Sequence, residues 1–327
     1  MIYFYLKIGY TINTVMHSDY TCNPIVYLIA TFHAITILLV IDGCVSMTLL
    51  VGWLAVDQRS AASAYILSDS RYTWSSAISY DYGRKVFACK NSPDIMAYCG
   101  DVLFPSTAIA RMVAIIEQGL LFGNESTSEH RSHAIFNHLS QLSSSYPSMK
   151  AVGGIDIYHI SRDLDGSFHT FYYHTQNNHD WMRDEIDNHT DKSKVIFIVG
   201  AGANDFKNSY SIYNADNSPN ANTSRNIFHC FCDCLLNNRL SNCGGAPQLV
   251  GLYRVAKSAP KYISNGIEIG IIVNHNRCFL GAELEYLDDY DIIRWYNELF
   301  EICDGNSMLR KITAMRQPNP LSYSATP

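Results

Sequence analysis

The chain has 327 residues, 47% of them apolar and 17% charged, which is enough to fill a sizeable core in one large or two small domains and too apolar for global disorder. Its formal net charge of −6 gives no footprint for nucleic acid. The 22 tyrosines are scattered and form no stacking motif.

Residues 1–47 form an apolar N-terminal extension. Ile25–Ile41 is apolar but for His33 and two threonines, at the short limit of a membrane span, about 17 residues. The stretch before it is long and holds Lys7 as its only Lys or Arg, a poor fit to a signal peptide or a positive-inside anchor. "IDGC" at 41–44 resembles a lipoprotein cleavage box, but Asp42 is wrong for it. Three readings stay open: translation that starts at Met47, a propeptide, or an anchor built on residues 25–41.

From Met47 onward the elements come in a definite order. "TLLVGWLA", Thr48–Ala55, predicts a strand, and polar residues 57–64 a turn. Tyr65–Asp69 returns as a second strand. Lys85–Ala88 and Ile95–Cys99 are short apolar runs separated by the turn signal Asn91-Ser92-Pro93-Asp94. A helix follows, capped by Ser106, with Ile109, Met112, Val113, Ile116 and Leu120 at helical spacing and Gly123 as its stop. The capping-box pattern Ser126-x-x-Glu129 opens a second helix with Ile135, Phe136, Leu139 and Leu142 on one face, ending before Pro147. Gly154–Ser161 and Phe168–His174 alternate around the turn Asp165-Gly166 and predict a hairpin. A polar stretch, 175–193, precedes the apolar strand Val195–Val199. Residues 206–223, rich in Asn and Ser, read as a surface loop, Asn226–Asn238 as a helix, and Leu249–Val255 and Ile267–Val273 as late strands. Residues 316–327 read as a disordered tail, which leaves 48–315 as the folded domain.

Strands, two helices, strands, a helix and strands predict an α+β fold. Two antiparallel sheets sandwiched between helices, a four-layer αββα arrangement, would bury the apolar faces of both. The ten cysteines lack the spacing of a disulfide framework. The densest group, His229-Cys230-Phe231-Cys232-Asp233-Cys234, has no second knuckle to complete a zinc site. Buried free thiols in a reducing cytoplasm are the better reading, with neither metal nor cofactor expected.

Several segments together resemble the proteasome β-subunit family of N-terminal-nucleophile hydrolases, which includes HslV and Anbu-like proteins. "TLLVGW" resembles the first strand of that family, which opens on the catalytic threonine. "LSDSRYTW" resembles its Asp-Ser-Arg segment, "GRKVFA" its lysine-bearing strand, and "MAYCGDVLFPS" the segment that supplies a backbone oxyanion site. Asp69 and Lys85 are spaced as the family pattern requires. Thr48 stands a few residues further upstream than usual, an excess the turn at 57–64 can absorb. "VIFIVGAGAND" is similar to a strand-and-glycine segment in which many active members carry a serine, where this chain has Ala201. The second aspartate of the family has no secure match near "LSNCGGA" at 240–246. The likeness is good over 48–122 and partial beyond.

The resemblance implies a threonine-type peptidase or amidase that acts on a peptide or protein within a homo-oligomer, with any ATPase on a separate chain. The residue chemistry agrees. A threonine hydroxyl is a weak nucleophile that a free α-amine on the same residue can activate. That amine has an ordinary pKa of about 7.7, and the Lys85 cation favours its neutral, proton-accepting form. Asp69 can hold the lysine, and the Gly100 N–H can face a developing oxyanion. Lys85→Met is therefore expected to remove hydrolysis with the fold intact. A start at Met47 frees the Thr48 amine, because aminopeptidases remove Met before small residues. Each residue also has a plain reading: Thr48 as a strand residue, Asp69 as a strand end, Lys85 as a solvated edge lysine, Gly100 as a turn. The alternatives are a non-catalytic structural subunit of the same fold and a membrane-anchored protein using 25–41.

Overall fold

The computed structural model describes residues 48–314, apart from 76–77, 124–125, 147–153, 177–179, 216–219, 238–239, 241–242, 256–264 and 286–288. The expectations for residues 1–47 and for the tail lie outside the described residues. Among those described, no helix is long and apolar enough to cross a membrane.

Strands β1 (Leu50–Val56) and β2 (Ala61–Ser68) form a hairpin paired from Leu50↔Ser68 to Val56↔Ala61, with a bulge at Ala55/Val56. The turn is shorter than expected. The Asp57 carboxylate accepts the N–H of Arg59 (2.8 Å) and of Ser60 (3.3 Å), closing it in four residues. The small residues 61–64 belong to β2, not to the turn, because they pair with β1 on one side and with β11 (Gln248–Tyr253) on the other. The extra residues between Thr48 and Asp69 lengthen the hairpin.

A small hairpin, β3 (Tyr72–Ser75) and β4 (Ile78–Tyr80), follows. Then β5 (Val86–Ala88), β6 (Asp94–Gly100), β7 (Ile155–Arg162), β8 (Phe168–Thr175) and β9 (Met182–Ile186) make a five-stranded antiparallel sheet in chain order. The larger sheet runs β10 (Lys194–Val199), β1, β2, β11, β12 (Ile267–Val273), β13 (Asn276–Phe279), β14 (Ala282–Glu283). Short strand β15 (Arg294–Asn297) lies parallel to β12, and β16 (Ile302–Cys303) pairs with β15.

Four helices are described: α1 (Leu103–Glu117), α2 (Ser128–Ser144), α3 (Ala203–Tyr213) and α4 (Ser224–Leu236). The period of two along a strand sends successive side chains into different cores. From β1, Val51 and Trp53 pack with Phe206 of α3 and Ile227 and Phe231 of α4. Leu50 and Leu54 face the other way, onto Val86, Ala88, Ile95 and Ile160 of the five-stranded sheet. From β6, Met96 and Tyr98 pack with Ile109 and Met112 of α1 and Ile135 and Leu139 of α2. Strands buried on both faces explain the continuous apolar runs. Each such Leu or Ile contributes about 1.5–3 kcal/mol.

Helix boundaries depart from expectation for local reasons. Helix α1 begins at Leu103, ahead of Pro105, which is tolerated in a first turn. Ser106 therefore lies inside the helix and bonds the Leu103 carbonyl. Gly119, at φ +67°, closes the helix, so Leu120 falls outside the stripe and is 75% exposed. In α2 the cap is Thr127, whose hydroxyl accepts the His130 N–H at 3.3 Å, one residue later than the Ser126 pattern. The Asn- and Ser-rich region expected as a loop holds α3, because buried Phe206 stacks on Tyr210 one turn on (5.7 Å). The polar stretch 175–193 contains β9, an edge strand whose charges suit an edge.

Candidate functional site

Asp69 and Lys85 reach one another from different sheets. Asp69 follows the last residue of β2 and Lys85 precedes β5, and both side chains are fully buried. Lys85 Nζ donates to Asp69 Oδ1 at 2.8 Å. The Leu49 N–H donates to the same oxygen at 3.1 Å. Oδ2 accepts the backbone N–H groups of Gly244 (3.1 Å) and Arg71 (3.3 Å). Burying two charges costs several kcal/mol each, and a buried pair persists only when its remaining hydrogen-bond capacity is filled. Here three backbone donors fill it on the carboxylate side.

Thr48 is buried and lies two residues before β1. Its neighbour Leu49 exchanges two bonds with Asp69: Leu49 N–H to the carboxylate and Asp69 N–H to the Leu49 carbonyl (3.3 Å). The Thr48 carbonyl accepts the Gly202 N–H at 3.4 Å. Gly200 approaches so closely that a Cβ there would stand 1.9 Å from the Thr48 oxygen, and its φ is +95°. Gly200→Ala should therefore lower stability by about 2–5 kcal/mol, summing left-handed strain and overpacking. Gly119→Ala is the control: its φ is +67° but nothing lies within 4 Å of an added Cβ. Equal shifts of the urea midpoint in the two variants would refute the close-approach argument.

Gly100 ends β6 at φ +101°, where a Cβ would meet the Gly154 carbonyl at 2.4 Å. The residues before it in β6 reach Lys85 and Gly200. The Tyr98 N–H bonds the Lys85 carbonyl (3.3 Å), and Cys99 Sγ lies 3.3 Å from where a Gly200 Cβ would be. Asp69 and Lys85 are thus in direct contact, and Thr48 is joined to them through the backbone of Leu49.

Sequence reasoning missed the surrounding frame. Arg71 pairs with Asp81 through two bonds (2.6 and 2.8 Å), which hold the Asp81 carboxyl below the usual range. The Arg71 guanidinium lies over Gly244, where a Cβ would come within 2.4 Å. Gln248, fully buried at the start of β11, bonds the backbone at both Asp69 and Lys85. The "CGGA" run hinted at close backbone approach, but nothing marked Gln248. Ala201 sits exposed in the turn between Gly200 and Gly202 and brings no hydroxyl. Burial pushes the Cys99 thiol up to about 12, with Asp156 adding and Lys85 opposing, and it pushes Cys243 up as well. Neither is a ready nucleophile near neutral pH.

The described cysteines, those of α4 included, are buried and in no disulfide. Among the described residues no group of three or more His, Cys, Asp or Glu is placed to hold a metal.

No protein-family model matches the chain, and no curated protein matches it in sequence. Solved structures do. Anbu (ancestral beta-subunit) from Yersinia bercovieri is similar at 8% identity and TM-score 0.45, over 67% of this chain and 86% of that one. An Anbu mutant from Hyphomicrobium sp. strain MC1 is similar at 10% identity and TM-score 0.44, over 73% of this chain and 89% of that one. Likenesses of this size describe a similarity and decide nothing about chemistry.

Proposed function

We propose that this chain is a threonine-type peptidase or related amidase of the proteasome-like N-terminal-nucleophile class, built as a four-layer αββα sandwich. The observation that carries the reading is the buried Lys85–Asp69 pair, bonded to the backbone of the residue next to Thr48. A buried cation beside a threonine favours both an uncharged α-amine and a more acidic hydroxyl. Thr48 Oγ would attack the scissile carbonyl carbon while its proton passes to the Thr48 amine. That amine would then protonate the departing amine, and water would hydrolyse the resulting ester. The Gly100 N–H would face the oxyanion. The roles require a mature chain that begins at Thr48, by removal of Met47 or of a longer propeptide. The substrate is a peptide or protein, the setting a cytoplasmic homo-oligomer, and any ATPase a separate chain.

A second reading, a non-catalytic subunit of the same fold, is supported by specific neighbours. The side chains nearest Gly202 are Cys243, Leu49 and Leu240, and exposed Ala201 beside it brings no hydroxyl to that turn. A peptide epoxyketone separates the two readings. It needs a hydroxyl and a free amine on one residue, so protein with Thr48 first should gain one adduct on its amino-terminal peptide. Thr48→Ala should lose the adduct and keep assembly. Intact mass from the native host should show Thr48 as the first residue. A correctly processed wild type that assembles but forms no adduct with epoxyketones or boronates would favour the structural subunit.

A further inference from the structure

We infer that Gln248 is the positioning residue of this site: its buried amide sets the Lys85–Asp69 pair across the gap between the two sheets. Gln248 opens β11, which pairs with β2 at Gln248↔Ser68, one residue before Asp69. Its side chain leaves that sheet. Gln248 Nε2 donates to the Asp69 carbonyl (2.9 Å) and to the Gly83 carbonyl (2.8 Å). Gln248 Oε1 accepts the Lys85 N–H at 2.9 Å. The partners fix the orientation of the amide, since an N–H can only donate and a carbonyl can only accept. Both amide hydrogens are used and the oxygen is engaged. One side chain therefore ties the backbone at Asp69, on the larger sheet, to the backbone at Gly83 and Lys85, which lead into the smaller one.

The consequence is geometric. The same two segments also meet through the Gly83 N–H bond to the Ser70 carbonyl (2.8 Å), but Gln248 supplies the bonds at Asp69 and Lys85 themselves. A lysine has a flexible four-carbon stem and follows its backbone loosely. The amide clamp removes that freedom at the root of the stem. Gly281 approaches it closely, since a Cβ there would stand 3.4 Å from Gln248 Nε2, and Gln248 is fully buried. Gln248 does not belong to the groups that would touch a substrate. Its effect must pass through the placement of Lys85, and from there to Thr48.

This inference rests on the peptidase reading for its catalytic consequence but not for its structural one, so two measurements are needed. The variants are Gln248→Met, which keeps length and loses all three bonds, and Gln248→Glu, which keeps the acceptor and loses donor capacity. In the full chain, the Lys85 ammonium should give a protected NMR resonance in wild type that is lost or shifted in Gln248→Met. In protein with a free Thr48 amine, epoxyketone labelling should keep its final stoichiometry and KI while kinact falls about 10–100-fold, the cost of a misplacement of about 1 Å. Gln248→Glu should fall between, and it serves both measurements if the Met variant does not fold. A simple structural brace gives another pattern: a smaller labelled fraction with kinact and the Lys85 resonance unchanged. That pattern would overturn the inference. A wild type that never labels, combined with a Lys85 resonance that still depends on Gln248, leaves the positioning role standing and removes the peptidase reading.

Discussion

Lys85→Met should abolish hydrolysis and, at the same time, destabilise the fold by about 3–5 kcal/mol, the usual result of deleting one member of a buried ion pair. The sequence alone suggested that this change spares the fold, because a methionine keeps a long apolar stem. The structure corrects that expectation. Asp69 is fully buried, so removing the cation leaves a carboxylate supported, among the described residues, only by the N–H groups of Leu49, Arg71 and Gly244. Three backbone donors do not replace a charge 2.8 Å away.

The two effects can be separated. Lys85→Met/Asp69→Asn removes the orphaned charge; with the Asn oxygen in place of Oδ2 it still accepts the Gly244 and Arg71 N–H groups, while the NH2 leaves the Leu49 N–H without its acceptor. The double variant should regain part of the stability lost by the single one, less the cost of the one unsatisfied N–H, and it should remain inactive. The urea midpoints of wild type, both single variants and the double variant give a coupling energy free of each residue's other contacts. Additive losses would mean that the pair does not interact in the way its geometry indicates. Hydrolysis near wild-type rate in folded Lys85→Met, measured on protein with a free Thr48 amine, would remove Lys85 from the mechanism.

The strands that carry the proposed site were legible because their apolar patterning is strong. Thr48, Asp69, Lys85 and Gly100 each sit at the end of an apolar run, but the family resemblance, not the strand ends, singled them out. The frame was not legible. Gln248 opens a strand and looks like any polar residue at a sheet edge; its role depends on a partner from the other sheet. Gly200 is silent too, since only the fold shows that the Thr48 carbonyl fills the space its side chain would take.

The same distinction holds for the elements. Helix α2 was visible because its apolar stripe repeats over several turns. Helix α3 was not, because its residues have weak helix propensity and one buried aromatic, Phe206, supplies the tertiary contact. Strand β9 was hidden by edge charges, and β13–β16 by their shortness. The capping box missed by one residue because adjacent Ser126 and Thr127 both suit a cap, and only the hydrogen bond to His130 decides between them.

A second buried charge far from Thr48 in the chain order should dominate the acid stability of the fold. Asp94 opens β6 and is fully buried. It accepts hydrogen bonds from Ser161 Oγ (2.6 Å) and Arg131 Nε (3.2 Å), meets His159 Nε2 at 2.7 Å, and is bonded by Ser92 Oγ. Arg131 belongs to α2, and it also bonds Ser161 Oγ and the Arg162 carbonyl. The cluster therefore fastens α2 to β6 and β7. Burial by itself would raise the Asp94 carboxyl, but the hydrogen bond and charge of His159, then Arg131 and Ser161, hold it far below the usual carboxylate range. A carboxyl depressed in the folded state stabilises the fold at pH values above its unfolded pKa, about 3.9, and loses that contribution as pH falls below it. Asp94→Asn should thus cost about 3–5 kcal/mol at pH 7, where it leaves Arg131 buried without its anion. The gap between variant and wild type should narrow from pH 5 to pH 3 and below, because only wild type has this carboxylate to protonate. Urea midpoints at pH 7, 5, 4 and 3 test both halves of the expectation. A gap of constant size across that range would mean that Asp94 contributes through shape and hydrogen bonding and not through its charge.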